Sequence, residues 1–196
     1  MTSLESMRRL DNIEELLNGG SCTPDRLCNE LAVVFGVRST EIGLLRIEGK
    51  TLKFVHPQEL QSAGSIPLSS SAVAAKTAVG KIPELFNQFA TVPHHTFFET
   101  VKLTNEQLTA AQQTIQKLMS APILDELNET IGVIQVSRKG ISPAAAGPDF
   151  TMDDLDTLER AARRISYLLP ELLLPGTNSP HGRLTFQGHG LAKKKA

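Results

Sequence analysis

Long apolar runs are missing from this 196-residue chain: none approaches the roughly 18–20 residues that a membrane-spanning helix requires. Its first twenty residues alternate charge with Leu, Met and Ile, so they lack the apolar centre of a secretory signal. Cysteine is scarce too. Cys22 and Cys28 are too few for a disulfide framework, and without an export signal they are expected to be reduced thiols in a cytoplasmic protein. Neither sign of charge dominates, because 20 Lys and Arg against 21 Asp and Glu leave a formal net charge of −1. That balance supplies no overall field to draw the chain to nucleic acid or to an anionic membrane. The basic cluster Lys193-Lys194-Lys195 stands at the extreme end, where a solvated tail is expected. Catalytic signatures are lacking as well. There is no G-x-S-x-G elbow, and GHGLAK near the end has neither the preceding strand nor the following helix of a phosphate-binding loop.

What is present suits one domain with appendages. Residues 3–18 predict a helix, with Leu4, Met7, Leu10, Ile13 and Leu17 three or four apart, closed by Gly19-Gly20. A second helix is expected to start at Thr23 as N-cap with Pro24 first inside, bury Leu27, Leu31 and Val34, and stop at Gly36. EIGLLRIE and TLKFVH read as a hairpin turning at Gly49-Lys50. SIPLSSSAVAAKTAVGK reads as a loop entering a short helix that ends at Gly80, and Ile82 to Phe86 as a strand. NQFATVPHHTFFETVKL has no clean period. EQLTAAQQTIQKL predicts a helix, MSAPIL a strand, Asp125 to Asn128 a turn, and ETIGVIQVSRKG a strand with apolar residues on both faces. FTMDDLDTLERAARRISYLL predicts a last helix, capped by Thr151 with Asp154 three residues on and Phe150 stapled onto Leu155. Pro170 should end or kink it, and the Gly-rich, polar stretch after Pro175 is expected to be disordered.

Three of these stretches, SIPLSSSAVAAKTAVGK, APILDELNETIGVIQVSRKG and FTMDDLDTLERAA, resemble the GAF domain family of sensory modules. The resemblance covers roughly Ser21 to Leu172. It implies an α+β, profilin-like fold: a central antiparallel sheet with terminal helices on one face and a variable roof of helices and loops on the other, enclosing a small-molecule pocket. The expected layout is an N-terminal helix over 1–20, a GAF domain over 21–172 and a flexible tail over 173–196. Ile131 and Val133 should lie on one face of the last strand, Ile134 and Val136 on the other.

The resemblance does not bring the chemistry of the better-known subfamilies. Bilin carriers use a cysteine in the roof, and the span from Gln58 to Leu118 holds none. The free-methionine sulfoxide reductases need pocket cysteines, whereas Cys22 and Cys28 open the second helix. The N-K-x-F-x-D-E signature of the cyclic-nucleotide phosphodiesterases is absent. No enzyme activity is therefore expected. His94 and His95, beside Phe97 and Phe98, are candidate pocket residues; a bland surface or lining role stands against ligation of a metal or haem. Phe86 is a further candidate, and Gln135, polar within an apolar strand, must find a hydrogen-bond partner in either backbone or ligand. His56 is expected to be a strand-end residue rather than part of a triad.

Leu155, Leu158, Ala162, Ile165 and Leu169 recur at spacings of 3, 4, 3 and 4 and predict a helical seam. Together with the Leu4–Leu17 stripe, it suggests a homodimer. The leading expectation is a non-catalytic sensory module for an unidentified small molecule, passing its signal through a dimer or a partner protein. A ligand-free interaction module is the alternative, and a haem or metal sensor a lesser one. Nothing in the sequence names a cofactor.

Overall fold

The computed structural model describes residues 15, 22–62, 64–91 and 114–167. The expected N-terminal helix (Glu15 apart), the tail from Pro175 onward, Leu169, Pro170, and the segment carrying His94, His95, Phe97 and Phe98 lie outside the described residues.

Among those residues, six strands form one antiparallel sheet: β1 Ile42–Glu48, β2 Thr51–His56, β3 Ser65–Pro67, β4 Glu84–Phe86, β5 Ile115–Leu124 and β6 Thr130–Lys139. The order across the sheet is β3-β2-β1-β6-β5-β4. Helices α1 (Pro24–Phe35) and α3 (Met152–Ser166) pack on one face, and the shorter α2 (Val73–Gly80) lies on the other. The sheet thus separates two cores, as expected of a sheet covered on both sides.

Local chemistry accounts for the helix ends. Thr23 Oγ1 accepts from Arg26 N at 3.3 Å, Pro24 opens α1, and Gly36 closes it at φ +60°, a conformation that suits a residue without Cβ. Arg138 on β6 caps the same helix end, donating to the carbonyls of Phe35 at 2.9 Å and Gly36 at 3.2 Å while its guanidinium lies 4.7 Å over the Phe150 ring. α3 begins with the anticipated capping box. Asp154 N donates to Thr151 Oγ1 at 3.1 Å, and Thr151 N donates to the Asp154 carboxylate at 2.8 Å.

Leu155, Leu158, Ala162 and Ile165 are buried in the core between α1, α3 and the sheet, with Leu158 and Ile165 at 0% exposure. The expected dimer seam is instead the inward face of α3. The 3–4 spacing suits a helix lying on a sheet as well as it suits a second helix, and burying each Leu or Ile stabilises the domain by about 1.5–3 kcal/mol.

Other expectations also change. Ile115–Leu118, read as the end of a helix, belong to β5: the ten-residue β6 pairs with Ile115, Lys117 and Leu118 across a register shift at Gln116, and Ile115 and Leu118 bury against Val73 and Phe89. Ser65–Pro67, read as loop, pairs with Thr51–Lys53 as an edge strand, where Pro67 is tolerated. Ile131 does not share a face with Val133. The pairing passes from Ile123↔Gly132 to Leu124↔Thr130, leaving Ile131 as a bulge that packs on the helix-side core, whereas Val133 sits in the α2-side core.

Candidate functional site

The sheet face beneath α2 changes character along its strands. Leu45 and Val133 make it apolar at one end. The next row across the sheet is polar, because the register aligns Glu84 on β4, Ser120 on β5, Gln135 on β6 and Gly43 on β1. Ser120 Oγ accepts from Gln135 Nε2 at 3.1 Å and pairs with Thr77 Oγ1 of α2 at 2.8 Å. Thr77, Ser120 and Gln135 are all buried. Gln135 has found a side-chain partner, where backbone or ligand had been anticipated. Buried and linked, the three groups avoid the roughly 1–3 kcal/mol that each would cost if left unsatisfied.

One row further, Phe86 pairs across the sheet with Leu118, and its half-buried ring meets Phe89 edge-on at 5.9 Å between centroids. Beyond this aromatic step lies an open cleft of about 620 Å³, lined by Asn87, Gln88, Ala90, Gln116, Lys117, Ile141, Ser142, Pro143, Ala144 and Asp149. It opens between Asn87–Ala90 and Gln116–Lys117, with the β6–α3 loop as its far wall.

Buried polar groups build that wall. Lys117 Nζ donates to Gly147 O at 2.6 Å and meets Asp149 Oδ1 at 2.7 Å, although only 4% of the lysine is exposed. Gln116 Nε2 donates to Gly140 O at 2.9 Å. Gly140 is required here, because a Cβ would fall 2.8 Å from Ala146 N and the backbones could not approach. Asn87 locks the entry of α3 by donating from Nδ2 to Phe150 O and accepting from Phe150 N, each at 2.9 Å. The cleft offers an exposed carboxylate at Asp149, the Ser142 hydroxyl and the small apolar surface of Ala90, Pro143 and Ala144. Such a set can hold a small molecule by a few polar contacts on an apolar floor.

Sequence reasoning reached Gln135 and Phe86 but missed Ser120, Thr77, Lys117 and Asp149. Their partners lie 30 to 43 residues away for Lys117 and Thr77, and strand register, not spacing, brings them together.

A second cluster joins the start of α1, the turn before β1 and the end of β2. His56 Nδ1 stands 2.8 Å from Asp25 Oδ1, and Nε2 stands 3.3 Å from Ser39 Oγ. The residue types are those of a hydrolytic triad, but Nε2 also faces the Ser39 carbonyl at 3.1 Å, nearer than the hydroxyl. A base occupied in that way is poorly set to activate the serine, so the cluster reads as a strut tying α1 to β2. Gln58 extends it, donating to Asp25 Oδ2 at 2.6 Å.

Cys22 and Cys28 sit on the α1 side. Burial pushes the Cys28 thiol far up, with the charge of Asp25 and Cys22 adding to it, and burial raises Cys22 against the opposing pull of Arg26. Among the described residues, no group of three or more His, Cys, Asp or Glu could hold a metal ion, and no helix is long and apolar enough to cross a membrane.

No family model and no curated protein matches the sequence. Solved structures do match. The GAF domain of an Acinetobacter phosphoenolpyruvate-protein phosphotransferase superposes with a TM-score of 0.62 at 12% identity, over 85% of this chain and 94% of that one. The GAF domain of A. aeolicus Nlh2 in an inactive state gives 0.56 at 17% identity, over 86% and 97%. The free methionine-R-sulfoxide reductase of Neisseria meningitidis, in complex with its substrate, gives 0.61 at 14%, over 87% and 91%. Among the described residues a six-stranded antiparallel sheet carries two helices on one face and one on the other, and the chain has the fold of GAF domains.

Proposed function

We propose that this chain is a non-catalytic sensory or regulatory module that binds a small molecule at the cleft between Asn87–Ala90, Gln116–Lys117 and the β6–α3 loop, and that it works in the cytoplasm. The observation that carries the reading is the cleft itself. It holds about 620 Å³ and has a buried ammonium, Lys117, and a buried amide, Gln116, in its walls. Its far wall runs directly into the cap of α3, so occupancy has a short physical path to a helix end through Asn87 and Phe150. The sheet architecture shared with GAF domains supports a sensory role by analogy of fold.

A reductase role like that of the Neisseria protein is disfavoured, since Cys28 lies in α1 and Cys22 just before it, neither lines the cleft, and burial raises both thiols. The test is native mass spectrometry of freshly purified protein, followed by a metabolite screen read by thermal shift. A ligand that raises the melting temperature of the wild type and leaves Ala144→Trp unmoved supports the cleft, because Ala144 is exposed and its replacement fills the cleft without entering the core. A ligand that stabilises both proteins equally sits elsewhere and refutes this placement.

A further inference from the structure

Resting on the reading of the cleft as a small-molecule site, we infer that it takes organic carboxylates with an apolar body, and that Asp149 is the chain's own stand-in for the ligand's carboxylate on Lys117. The ion pair is lopsided. Lys117 is buried and rises from β5, so its ammonium is fixed in the wall of the cleft and needs an anion beside it. The Asp149 side chain, 2.7 Å away on the β6–α3 loop, is 69% exposed, and Lys117 is its one partner among the described residues. A carboxylate already so hydrated can leave for water; the ammonium cannot. Both residues line the cleft. The ammonium has three N–H groups, of which Gly147 O takes one and Asp149 another, and no acceptor among the described residues takes the third.

Charge and shape select the ligand class. A free carboxylate replaces Asp149 like for like, with one charge on two coplanar oxygens, and the third N–H of Lys117 gives its second oxygen a donor. A phosphate dianion would leave a charge unmatched beside the Gly140 and Gly147 carbonyls, both of which already accept hydrogen bonds in this wall. A neutral amide would leave the buried ammonium without a counter-ion. Asp149 is tethered and so competes at a high effective concentration. A bare anion therefore loses to it. An acid with an apolar body gains what Asp149 lacks, burial against Ala90, Pro143 and Ala144 on the cleft floor. The exchange reaches the fold as well. Asp149 stands next to Phe150, whose N–H and C=O are held by Asn87, and two residues before the N-cap Thr151, so its release undoes one of the two ties between Lys117 and the loop that leads into α3.

Calorimetry and thermal shift on the full chain, at constant ionic strength, test it with benzoate, benzamide and benzylamine, three probes of one shape and different charge. Benzoate should bind the wild type, and bind Asp149→Ala roughly tenfold or more tightly, because that change removes the tethered competitor at an exposed position. Benzamide and benzylamine should gain nothing from it. Without ligand, Asp149→Ala should melt below the wild type, and benzoate should restore it. Lys117→Gln, which keeps a donor for Gly147 O, should lose benzoate binding; if that variant does not fold, the Asp149→Ala comparison decides alone. Benzoate that binds Asp149→Ala no more tightly than the wild type, or binds neither, overturns the inference. Benzamide or benzylamine bound by the wild type in preference to benzoate and blocked by Ala144→Trp overturns the carboxylate class while leaving the cleft in place. Benzoate binding that Ala144→Trp leaves unchanged refutes the cleft itself.

Discussion

Replacing Glu41 by Gln tests how the sheet is pinned at its lower end. Glu41 is 7% exposed and accepts four hydrogen bonds: Arg38 N at 2.9 Å and Arg38 Nε at 3.2 Å on Oε2, and Arg38 Nη2 at 3.0 Å and Lys139 N at 2.8 Å on Oε1. It thereby joins the start of β1 to the end of β6, 98 residues on. Burial works against its charged form. The hydrogen bonds from the Arg38 side chain and backbone and from the Lys139 backbone, with the positive charge of Arg38, outweigh that and hold the carboxyl below its ordinary range. An amide keeps one acceptor oxygen, so two of the four donors must face an NH2 group. Arg38 is half-exposed and can turn to water, but the backbone N–H left behind cannot, at roughly 1–3 kcal/mol.

The expected loss is about 2–3 kcal/mol at neutral pH, or roughly 5–10 °C in melting temperature. The pH dependence has a definite sign. Because the folded carboxyl is depressed, its contribution is complete above the unfolded Glu value of about 4.3 and is lost as pH falls through the folded value. Urea unfolding of both proteins at stepped pH measures the gap. A difference under about 0.5 kcal/mol at pH 7, or one that does not shrink below about pH 4, would refute the reasoning.

Leu158→Asp should unfold the domain instead of dissociating a dimer, since Leu158 is fully buried within one chain; a folded monomer by circular dichroism would contradict that. Cys28 should resist a thiol reagent in the native protein and react on unfolding, with Cys22 slower than a free thiol, because burial raises both; rapid native labelling of Cys28, followed by mass, would show otherwise.

The sequence by itself determined whatever depends on neighbours along the chain. Thr23 and Thr151 cap because their hydroxyls reach an N–H three residues on, and Gly36 ends α1 because a positive φ suits a residue without Cβ. The hairpin at Gly49-Lys50 and the inward stripe of α3 were legible for the same reason. The GAF-like order of elements followed from them. Tertiary structure alone decided which partner each of these surfaces would meet. A 3–4 apolar repeat is the same on a helix facing a sheet as on one facing a second helix, and only the sheet's position made Leu158 core. The bulge at Ile131 moved that side chain across the sheet, because the side-chain period of a strand is two and one extra residue reverses it. The polar row and the cleft were equally hidden. Thr77 meets Ser120, and Lys117 meets Gly147, through strand register and loop closure over distances that carry no periodic signal.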